Sequence, residues 1–448
     1  MSTGQKQHQH QRLLDRPFIR DYGMVFVLLL LAGLFSALTI KQQHPTGEDA
    51  GRQVADLIVA RHGKDARVLI VTRNTAIDLA FADASAKRLT ESGATVLDNV
   101  NGSAPDARQA IESILANGEE IDAIAANDVT AKWTVYDRFP SVGAAKCVVP
   151  ASYTWPDFLK VSNLLGVANQ TAIYAIIAIG MTMVIVTGGI DLSVGSLVAL
   201  ASVCTALMIR NWGGGANANL ALVFAAGLAG IGLCALAGAF NGFMITAFRI
   251  PPFIVSLGMM MMASGLSFRL SGGNSIPELP TAFFWLGRGQ TLGVPHPILL
   301  MIVLYLIAHL VMSRMVFGRY VYAIGGNAKA ARLSGVPVER MLLAVYTICG
   351  ALAGLGGIVL TSQLSAGDPK FGLMYELEVI AAVVVGGTSL MGGQGKIFGT
   401  LIGAFIIAVI KNGMNLTNVD PFNQKIVLGA VLLVAVLLDT LKRRGSHH

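Results

Sequence analysis

A single carboxylate inside a long uncharged apolar segment is the feature that most restricts how this chain can fold. The segment runs over residues 164–200, and its one charged side chain is Asp191, within the stretch TGGIDLSVGS (187–196). An ionisable group at membrane depth costs a few kcal/mol, so it normally faces a cavity or a partner. The adjacent glycines indicate non-helical backbone, which survives in a membrane only where protein or water surrounds it. The stretch therefore predicts the broken, cavity-lining centre of a membrane transporter.

The composition places the rest of the chain in the same class. Of the 448 residues, 54% are hydrophobic and only 13% are charged, about half the charged fraction of a soluble globular protein. We expect an all-α polytopic membrane protein with about ten transmembrane helices, some of them broken. The net charge of +7 comes from basic residues in short loops. This pattern fits the positive-inside rule better than nucleic-acid binding, so no nucleic-acid partner is expected.

Ten apolar runs are candidate membrane spans, and alternating them across the bilayer places both chain ends in the cytoplasm. Four basic residues precede the first run, in agreement with that orientation. The last three runs are short for a hydrocarbon core of about 30 Å, which predicts that they borrow flanking polar residues or are broken segments. The runs cover residues 23–40, 162–187, 192–209, 220–248, 252–268, 297–312, 341–363, 379–390, 397–410 and 426–438.

A segment with the composition of a soluble domain interrupts the apolar runs. Three strand patterns (67–74, 94–100 and 121–128) alternate with two helical patterns (78–92 and 106–116), which predicts a small Rossmann-like α/β layer on the extracytoplasmic side. It is either a docking or sensing surface or an insertion that binds nothing. The predicted division is a tail and first helix (1–44), the insert (45–154), the transmembrane core (155–444) and a tag remnant (445–448).

The sequence contains no complete motif for catalysis or for metal binding. In VVVGGTSLMGGQGKIFG, Leu390 occupies the first glycine position of a P-loop, and Ile397 follows Lys396 where a hydroxyl is required. The four cysteines form no CxxC pair, and nothing resembles a metal cluster. We therefore expect no cofactor in this chain, no metal and no enzymatic activity of its own.

The glycine-rich clusters supply the candidate pathway residues. Asp191 is interpreted as a pathway residue, an ion-pair partner or the N-cap of a helix that starts near Leu192. Asn241 is a second polar group within an apolar run, and the cluster at 386–389 echoes the composition around Asp191. The predicted pathway set is Gly188, Gly189, Asp191, Ser193, Ser196, Asn241, Gly386, Gly387, Thr388 and Ser389.

The basic loop between residues 314 and 340 is the other stretch that calls for an explanation. After a Gly-Gly-Asn turn, AKAARLSG predicts a short amphipathic helix that closes at Gly335, with Pro337 after it. Such a helix is either a rigid knob that fits a groove on another protein or an ordinary connecting loop.

Four motifs in order give the chain a family resemblance. TGGIDLSVGS, NGFMITAFRIPPFIVSLGMM, FGRYVYAIGGNAKAARLSG and VVVGGTSLMGGQG resemble the membrane permease of bacterial ABC importers for monosaccharides of the ribose, xylose and galactofuranose type. The resemblance covers about residues 20–40 and 158–444. It implies a multi-pass protein of the inner membrane, surrounded by lipid and paired with a second copy or a sister permease. Two ABC ATPase subunits, which bind ATP and Mg, and a periplasmic sugar-binding protein are the other implied partners.

The same resemblance assigns a role to the basic loop. It implies a coupling helix that inserts into the ATPase, made of Gly325, Gly326, Asn327, Ala330, Ala331, Arg332, Leu333 and Gly335. The insert departs from the family pattern, and it resembles one lobe of a sugar-binding protein without the residues that clamp a sugar. We expect it to contact the binding protein. The alternatives are a permease of the same superfamily for nucleosides or amino acids, and a membrane sensor that uses the insert.

Overall fold

The computed structural model describes residues 17–142 and 146–444. Its residues fall into two compact units: one combines the chain up to Thr39 with the chain from Asp157 onward, and the other is Ile40–Pro156. We call them the membrane unit and the insert. The basic residues Lys6, Arg12 and Arg16 and the tag remnant at 445–448 lie outside the described residues.

The elements follow the chain from a first membrane helix, through the α/β insert, to a long helical region. They are α1 (Pro17–Leu38), β1 (Ile40–Gln43), α2 (Gly47–His62), β2 (Arg67–Thr72), α3 (Ala76–Glu91), β3 (Thr95–Asn101), α4 (Ala104–Ala116), β4 (Ala123–Ala126), β5 (Cys147–Val148), β6 (Tyr153–Pro156), α5 (Val161–Val186), α6 (Val194–Gly213), α7 (Leu220–Ala247), α8 (Pro252–Ser271), α9 (Trp285–Arg288), β7 (Gln290–Thr291), β8 (Val294–Pro295), α10 (His296–Arg314), α11 (Val316–Leu333), α12 (Val338–Leu364), α13 (Tyr375–Val385), α14 (Ile397–Leu416) and α15 (Pro421–Arg444).

The membrane unit is a polytopic helical bundle, as expected. Within the described residues, seven helices are long and apolar enough to cross a membrane: α5, α6, α7, α8, α10, α12 and α14. Shorter apolar segments lie at 23–38 and 421–437. The run expected at 379–390 instead forms α13, which begins at Tyr375 and has only 11 residues. An α-helix of that length is about 16 Å long, roughly half of the hydrocarbon core.

Small residues allow the central helices to approach one another closely. On α12, Gly350 packs against the backbone of Cys234 on α7, and Cys349 packs against Gly180 on α5. A side chain at either glycine would collide with the neighbouring helix. Helices in a membrane associate largely through such close packing, because burial from water contributes little there. Among the long helices, α5 and α6 are the most buried, α12 and α14 follow, and α7 and α8 are the least buried.

Local sequence signals set several helix ends. Proline occupies the first turn of α8 and α10, where its missing N–H leaves no hydrogen bond unmade. Gly214 and Gly272 follow α6 and α8 in the left-handed conformation that commonly ends helices. These signals fix the lengths of the helices on which the site is built.

The insert contains a four-stranded parallel sheet in the order β3-β2-β4-β5. Strands β2, β3 and β4 coincide, within one or two residues, with the three strand patterns in the sequence. Apolar residues cover both faces of the sheet: Val68 and Ile70 face the core with α2 and α3, while Leu69 and Val71 face the core with α4. Helix α2 was not anticipated, because its apolar stripe is narrow and its remaining surface is charged.

The insert is wider than the predicted range 45–154. Strands β1 and β6, one at each end, pair antiparallel with Gln43 opposite Tyr153. In the membrane unit, the backbone N–H of Asp157 donates to the carbonyl oxygen of Thr39 at 2.9 Å. The chain therefore leaves the membrane unit and returns to it at adjacent residues.

Candidate functional site

The segment between α5 and α6 holds Asp191 in a tight turn. Helix α5 ends at Val186, and Gly188 takes a positive φ of 81° that favours glycine. Asp191 Oδ1 accepts hydrogen bonds from the backbone N–H of Ser193 at 2.9 Å and from its hydroxyl at 2.6 Å. Helix α6 begins at Val194 with Ser193 as its N-cap residue, so the predicted start near Leu192 with Asp191 as the N-cap is wrong. The carboxylate instead holds the turn that precedes the helix.

The side chains around this turn form a buried polar cluster. Asn241 on α7 donates to the hydroxyl of Ser193 at 3.2 Å, and the Ser196 hydroxyl donates to the carbonyl oxygen of Ser193 at 2.8 Å. Asp191, Ser193 and Asn241 are each 0% exposed, so Asp191 faces protein rather than an open cavity. The sequence pattern thus identified residues that are in contact, although they lie far apart along the chain.

Three polar atoms in this region have no hydrogen-bond partner. They are Asp191 Oδ2, Asn241 Oδ1 and the hydroxyl of Tyr346 on α12. Tyr346 lies against Gly189, where any side chain would collide with its hydroxyl. Buried polar groups in native proteins are nearly always paired, and the exceptions often mark functional positions. Tyr346 carries no sequence signal of its own, because a tyrosine in an apolar helix is ordinary.

The second glycine cluster follows the short helix α13. Gly386 packs against the backbone of Gly399, and Gly387 has a positive φ of 86°. Thr388 and Ser389 are buried, and the Ser389 hydroxyl accepts from the backbone N–H of Met391 at 3.2 Å. Gly386, Gly387, Thr388 and Ser389 therefore form the turn that ends α13, separate from the cluster around Ser193.

The end of α5 and the connection between α13 and α14 both contact the middle of the basic loop. The backbone N–H of Gly393 donates to the carbonyl oxygen of Val186 at 2.8 Å. Gly325 packs against both of these groups so closely that a side chain there would collide with backbone. The Tyr322 hydroxyl donates to the carbonyl oxygen of Gly395 at 2.7 Å. A displacement of the basic loop would thus act directly on the end of α5 and on the connection between α13 and α14.

Beyond this contact the basic loop becomes a separate, exposed helix. Helix α11 is kinked at Asn327 (φ −161°, ψ 100°), whose side-chain oxygen accepts from the backbone N–H of Ala330 at 3.0 Å. Asn327 is therefore the N-cap of a short final segment. Leu333 at its end is 90% exposed and Ala331 is buried. Gly326, Ala330 and Gly335 are exposed, and the exposed Arg332 pairs with Glu339.

A charged pair that the sequence analysis missed lies elsewhere in the bundle. Lys411 donates to the two carboxylate oxygens of Glu378 at 2.9 and 3.0 Å. The apolar runs at 379–390 and 397–410 stop just short of both residues, which places Glu378 and Lys411 in predicted loops. The structure continues α14 to Leu416 and begins α13 at Tyr375, which places both charges within helices.

Comparison with known proteins matches the helical region to a family. Residues 163–436 match the family model for the permease component of the branched-chain amino acid transport system. The chain belongs to this permease family. The matched range begins after the insert, so the family accounts for the helical region.

Several curated relatives of this permease are named as sugar permeases. The ribose import permease protein RbsC of Escherichia coli (strain K12) is 43% identical over 292 residues, which cover 64% of this chain and 88% of that protein. The protein of the same name from Bacillus subtilis (strain 168) is 44% identical over 305 residues, or 68% and 92% of the two chains. The L-arabinose ABC transporter permease protein AraH of Azospirillum brasilense is 38% identical over 292 residues, or 65% and 84%. No solved structure matches the chain. The resemblance to sugar-importer permeases is confirmed.

Proposed function

We propose that this chain is the transmembrane permease subunit of an ABC importer that passes a monosaccharide from a periplasmic binding protein to the cytoplasm. The observation that carries the proposal is the family match over residues 163–436, together with curated relatives that are named for ribose and arabinose. The family description names branched-chain amino acids, but the relatives described above are named for ribose and L-arabinose. Separate ATPase subunits would supply the energy.

The arrangement in the membrane is part of the proposal. Ten spans with both chain ends in the cytoplasm would combine the seven long helices with α1, α13 and α15. This orientation puts the basic loop and the exposed end of α11 on the cytoplasmic side, in agreement with the positive-inside rule. For a bacterial importer, the bilayer is then the inner membrane.

The exposed end of α11 is the proposed contact with the ATPase. The side chain of Leu333 on this short helix is exposed, and Gly325 at its base contacts the end of α5 and the connection between α13 and α14. Movement of the ATPase would therefore be transmitted to Val186 and Gly393 through directly packed backbone. Around the turn at Asp191, the unpaired polar atoms would acquire partners when the pathway opens.

The insert is proposed to be a contact surface for the binding protein rather than a ligand site. At the carboxyl ends of β2 and β4, where parallel sheets usually bind ligands, the polar groups bond to one another. Asn127 donates to Asp78 at 3.1 Å, and Thr130 donates to the carbonyl oxygen of Val71 at 2.8 Å. Few groups at this edge are left to hold a sugar.

Uptake by the purified complex tests the proposal. The chain would be purified with its ATPase and binding protein, reconstituted in vesicles, and supplied with ATP and labelled D-ribose, L-arabinose or L-leucine. ATP-dependent accumulation of a monosaccharide is expected. Accumulation of leucine alone, or of none of these solutes, would overturn the sugar assignment. The chain purified without the ATPase should hydrolyse no ATP.

A further inference from the structure

The short helix α13 leaves space within the bundle. It has 11 residues, whereas its neighbours α5, α12 and α14 have 26, 27 and 20. The chain that leads from α12 to α13 runs back along α6: the backbone N–H of Asp368 donates to the Ser202 hydroxyl, and Gly372 packs against Gly195. Helix α13 therefore starts part-way along the bundle, and its longer neighbours extend beyond its first turn.

A cavity of about 290 Å³ occupies this space. It is lined by the first half of α5, the end of α12, the start of α13 and the second half of α14. These are the ends of the four helices nearest to Thr39 and Asp157, since Asn163 at the start of α5 bonds both to Phe158 and to Asn412. In the proposed orientation this end faces the periplasm. None of the residues selected from the sequence lines this cavity.

The charged pair forms one wall. Glu378 and Lys411 have side chains that are 21% and 30% exposed, so each is paired with the other and also accessible from the cavity. Ionisable residues among membrane helices are costly and usually mark a pathway. Together the pair has no net charge, which favours a neutral ligand over an ion. A hydroxyl group can accept from the ammonium and donate to the carboxylate at the same time.

Aromatic rings and amides form the rest of the polar lining. The rings of Tyr174 and Tyr375 lie 4.4 Å apart, and Lys411 Nζ lies 5.1 Å from the centre of the Tyr174 ring. Aromatic faces give an apolar surface to the C–H groups of a small polar ligand. Asn412 is oriented by reciprocal hydrogen bonds with Asn163 at 2.9 and 3.1 Å, and Gln170 is exposed beside it. Amides donate and accept without charge, which again suits hydroxyl groups.

We propose that this cavity is a transient binding site for one monosaccharide on its way through the permease, with Glu378, Lys411, Tyr174 and Tyr375 as its contact residues. This inference rests on the proposed function. The volume lies at the lower limit of small-molecule sites, about 300 Å³, so it suits a single sugar ring rather than a disaccharide. Because the pair is already satisfied internally, a sugar replaces existing contacts, which keeps its affinity low and its release fast.

Protection of an introduced thiol tests occupancy directly. Ala408 lines the cavity, and Ala408→Cys is a small change there. In the reconstituted importer, millimolar D-ribose should slow the labelling of this thiol by a small hydrophilic reagent at least about threefold, measured above the labelling of the four native cysteines. The matched control is Ala216→Cys, in the exposed connection between α6 and α7, whose labelling should not depend on ribose. L-leucine should give no protection at position 408.

A second pair of variants separates contact from structure. The double variant Glu378→Gln/Lys411→Gln replaces the ion pair by two amides that can still bond to each other. It should keep assembly of the complex, but lose ribose protection at position 408 and lower ribose uptake about tenfold. Tyr174→Phe should lower uptake to a smaller extent. Tyr305→Phe is the control for Tyr174→Phe. The Tyr305 hydroxyl, on α10, donates to the carbonyl oxygen of Ala175, which follows Tyr174 on α5, but Tyr305 does not line the cavity. This control variant should leave uptake unchanged.

The outcomes distinguish this inference from the proposed function. If the unmodified importer accumulates no monosaccharide, the proposed function fails. If it accumulates ribose while labelling at position 408 ignores ribose, or while the double variant transports normally, the cavity is not a sugar site and the proposed function stands. Protection by leucine but not by ribose would also overturn the sugar assignment of the cavity.

Discussion

The membrane unit and the insert each bury an aspartate, and the two carboxylates differ in their hydrogen bonds. Asp78 in the insert is 5% exposed and both of its oxygens are paired: Oδ1 accepts from Asn127 at 3.1 Å, and Oδ2 accepts from Arg73 at 2.7 Å. Asp191 in the membrane unit is 0% exposed, its Oδ1 accepts two hydrogen bonds from Ser193, and the Cys349 thiol is another side-chain neighbour. Its Oδ2 has no nitrogen or oxygen donor.

The contrast shows that residue type alone does not identify a functional carboxylate. The hydrogen bonds of Asp78 are complete, as those of a structural group in a soluble domain usually are. An incompletely bonded carboxylate is costly to keep, and stability alone gives no reason to retain it. Around Asp191, the unpaired oxygen of Asn241 and the unpaired hydroxyl of Tyr346 belong to the same pattern. We therefore expect the two aspartates to respond differently to the same substitution.

The largest expected effect is that of Asp191→Asn on transport. The amide keeps an oxygen for the two hydrogen bonds from Ser193 but can never carry a charge, and a hydrogen bond to a neutral group contributes about 0.5–1.5 kcal/mol, against about 1.5–3 kcal/mol for one to a charged group. Sugar uptake should fall roughly ten- to hundredfold, measured in vesicles with the complete importer. Asp78→Asn is the matched control and should change uptake little. Normal uptake by the Asp191 variant, or an equal loss in both, would remove the contrast between the two sites.

The next effect tests the exposed end of α11. Arg332→Glu replaces the ion pair with Glu339 by a repulsion on the surface that is proposed to meet the ATPase, and Gly326→Pro disturbs the kink beside Asn327. Each variant should lower the sugar transported per ATP hydrolysed about tenfold, with the membrane fold intact by thermal unfolding. Sugar uptake and phosphate release are measured on the same vesicles, and their ratio gives the coupling. Lys132→Glu, at an exposed position in the insert, is the control, and unchanged coupling in both loop variants would contradict the assignment.

Removal of the insert should have a moderate effect. Deletion of residues 46–150 leaves His44, Pro45, Ala151 and Ser152 as a four-residue connection between β1 and β6, a common hairpin length. The membrane unit should still fold, and affinity for the binding protein should fall roughly fivefold, about 1 kcal/mol. The affinity is measured by the binding of labelled binding protein to vesicles that contain the importer. If both affinity and uptake are unchanged, the insert is not a docking surface.

The smallest expected effect concerns acid stability of the insert. The guanidinium of Arg67 bonds to Asp122 and holds the pKa of that carboxyl below its ordinary value. A lowered folded-state pKa stabilises the fold above the ordinary pKa, and this stabilisation is lost as the pH falls through the lowered value. Because the Asp122 side chain is 33% exposed, the contribution should be below about 1 kcal/mol. Hydrogen exchange of the β2 and β4 amides, measured as the pH is lowered, should show this loss of stability.

Asp122→Asn serves as the test variant for this acid effect. It should remove most of the acid sensitivity of β2 and β4 and leave the exchange of the membrane helices unchanged. An insert with the same acid dependence in the variant and in the unmodified protein would show that other carboxyls control it.

The sequence predicted much of the bundle because apolar runs and glycine clusters are local signals. Residues 187–193 and 386–389 are non-helical where glycine and polar residues interrupt the runs, and Asn241 contacts Ser193. The start of α6 was misplaced by two residues, because Asp191 and Ser193 are both good capping residues and only the backbone conformation distinguishes them.

The cavity could not be predicted, because its residues are brought together only by folding. Glu378 and Lys411 are 33 positions apart, and each stands near the end of an apolar run, where a charge is ordinary. Their pairing depends on α13 being short and α14 continuing beyond the predicted end at 410. Tyr174 and Tyr375 carry no local signal at all, since tyrosines are common near membrane surfaces.

The hydrogen bond between Asp157 and Thr39 has a practical consequence. Two backbone positions so close together can accept, in exchange for the present insert, any folded protein whose own termini are adjacent. A rigid fluorescent or antibody-binding protein grafted there would mark one face of this permease for imaging, and the grafting would leave every membrane helix in its native order.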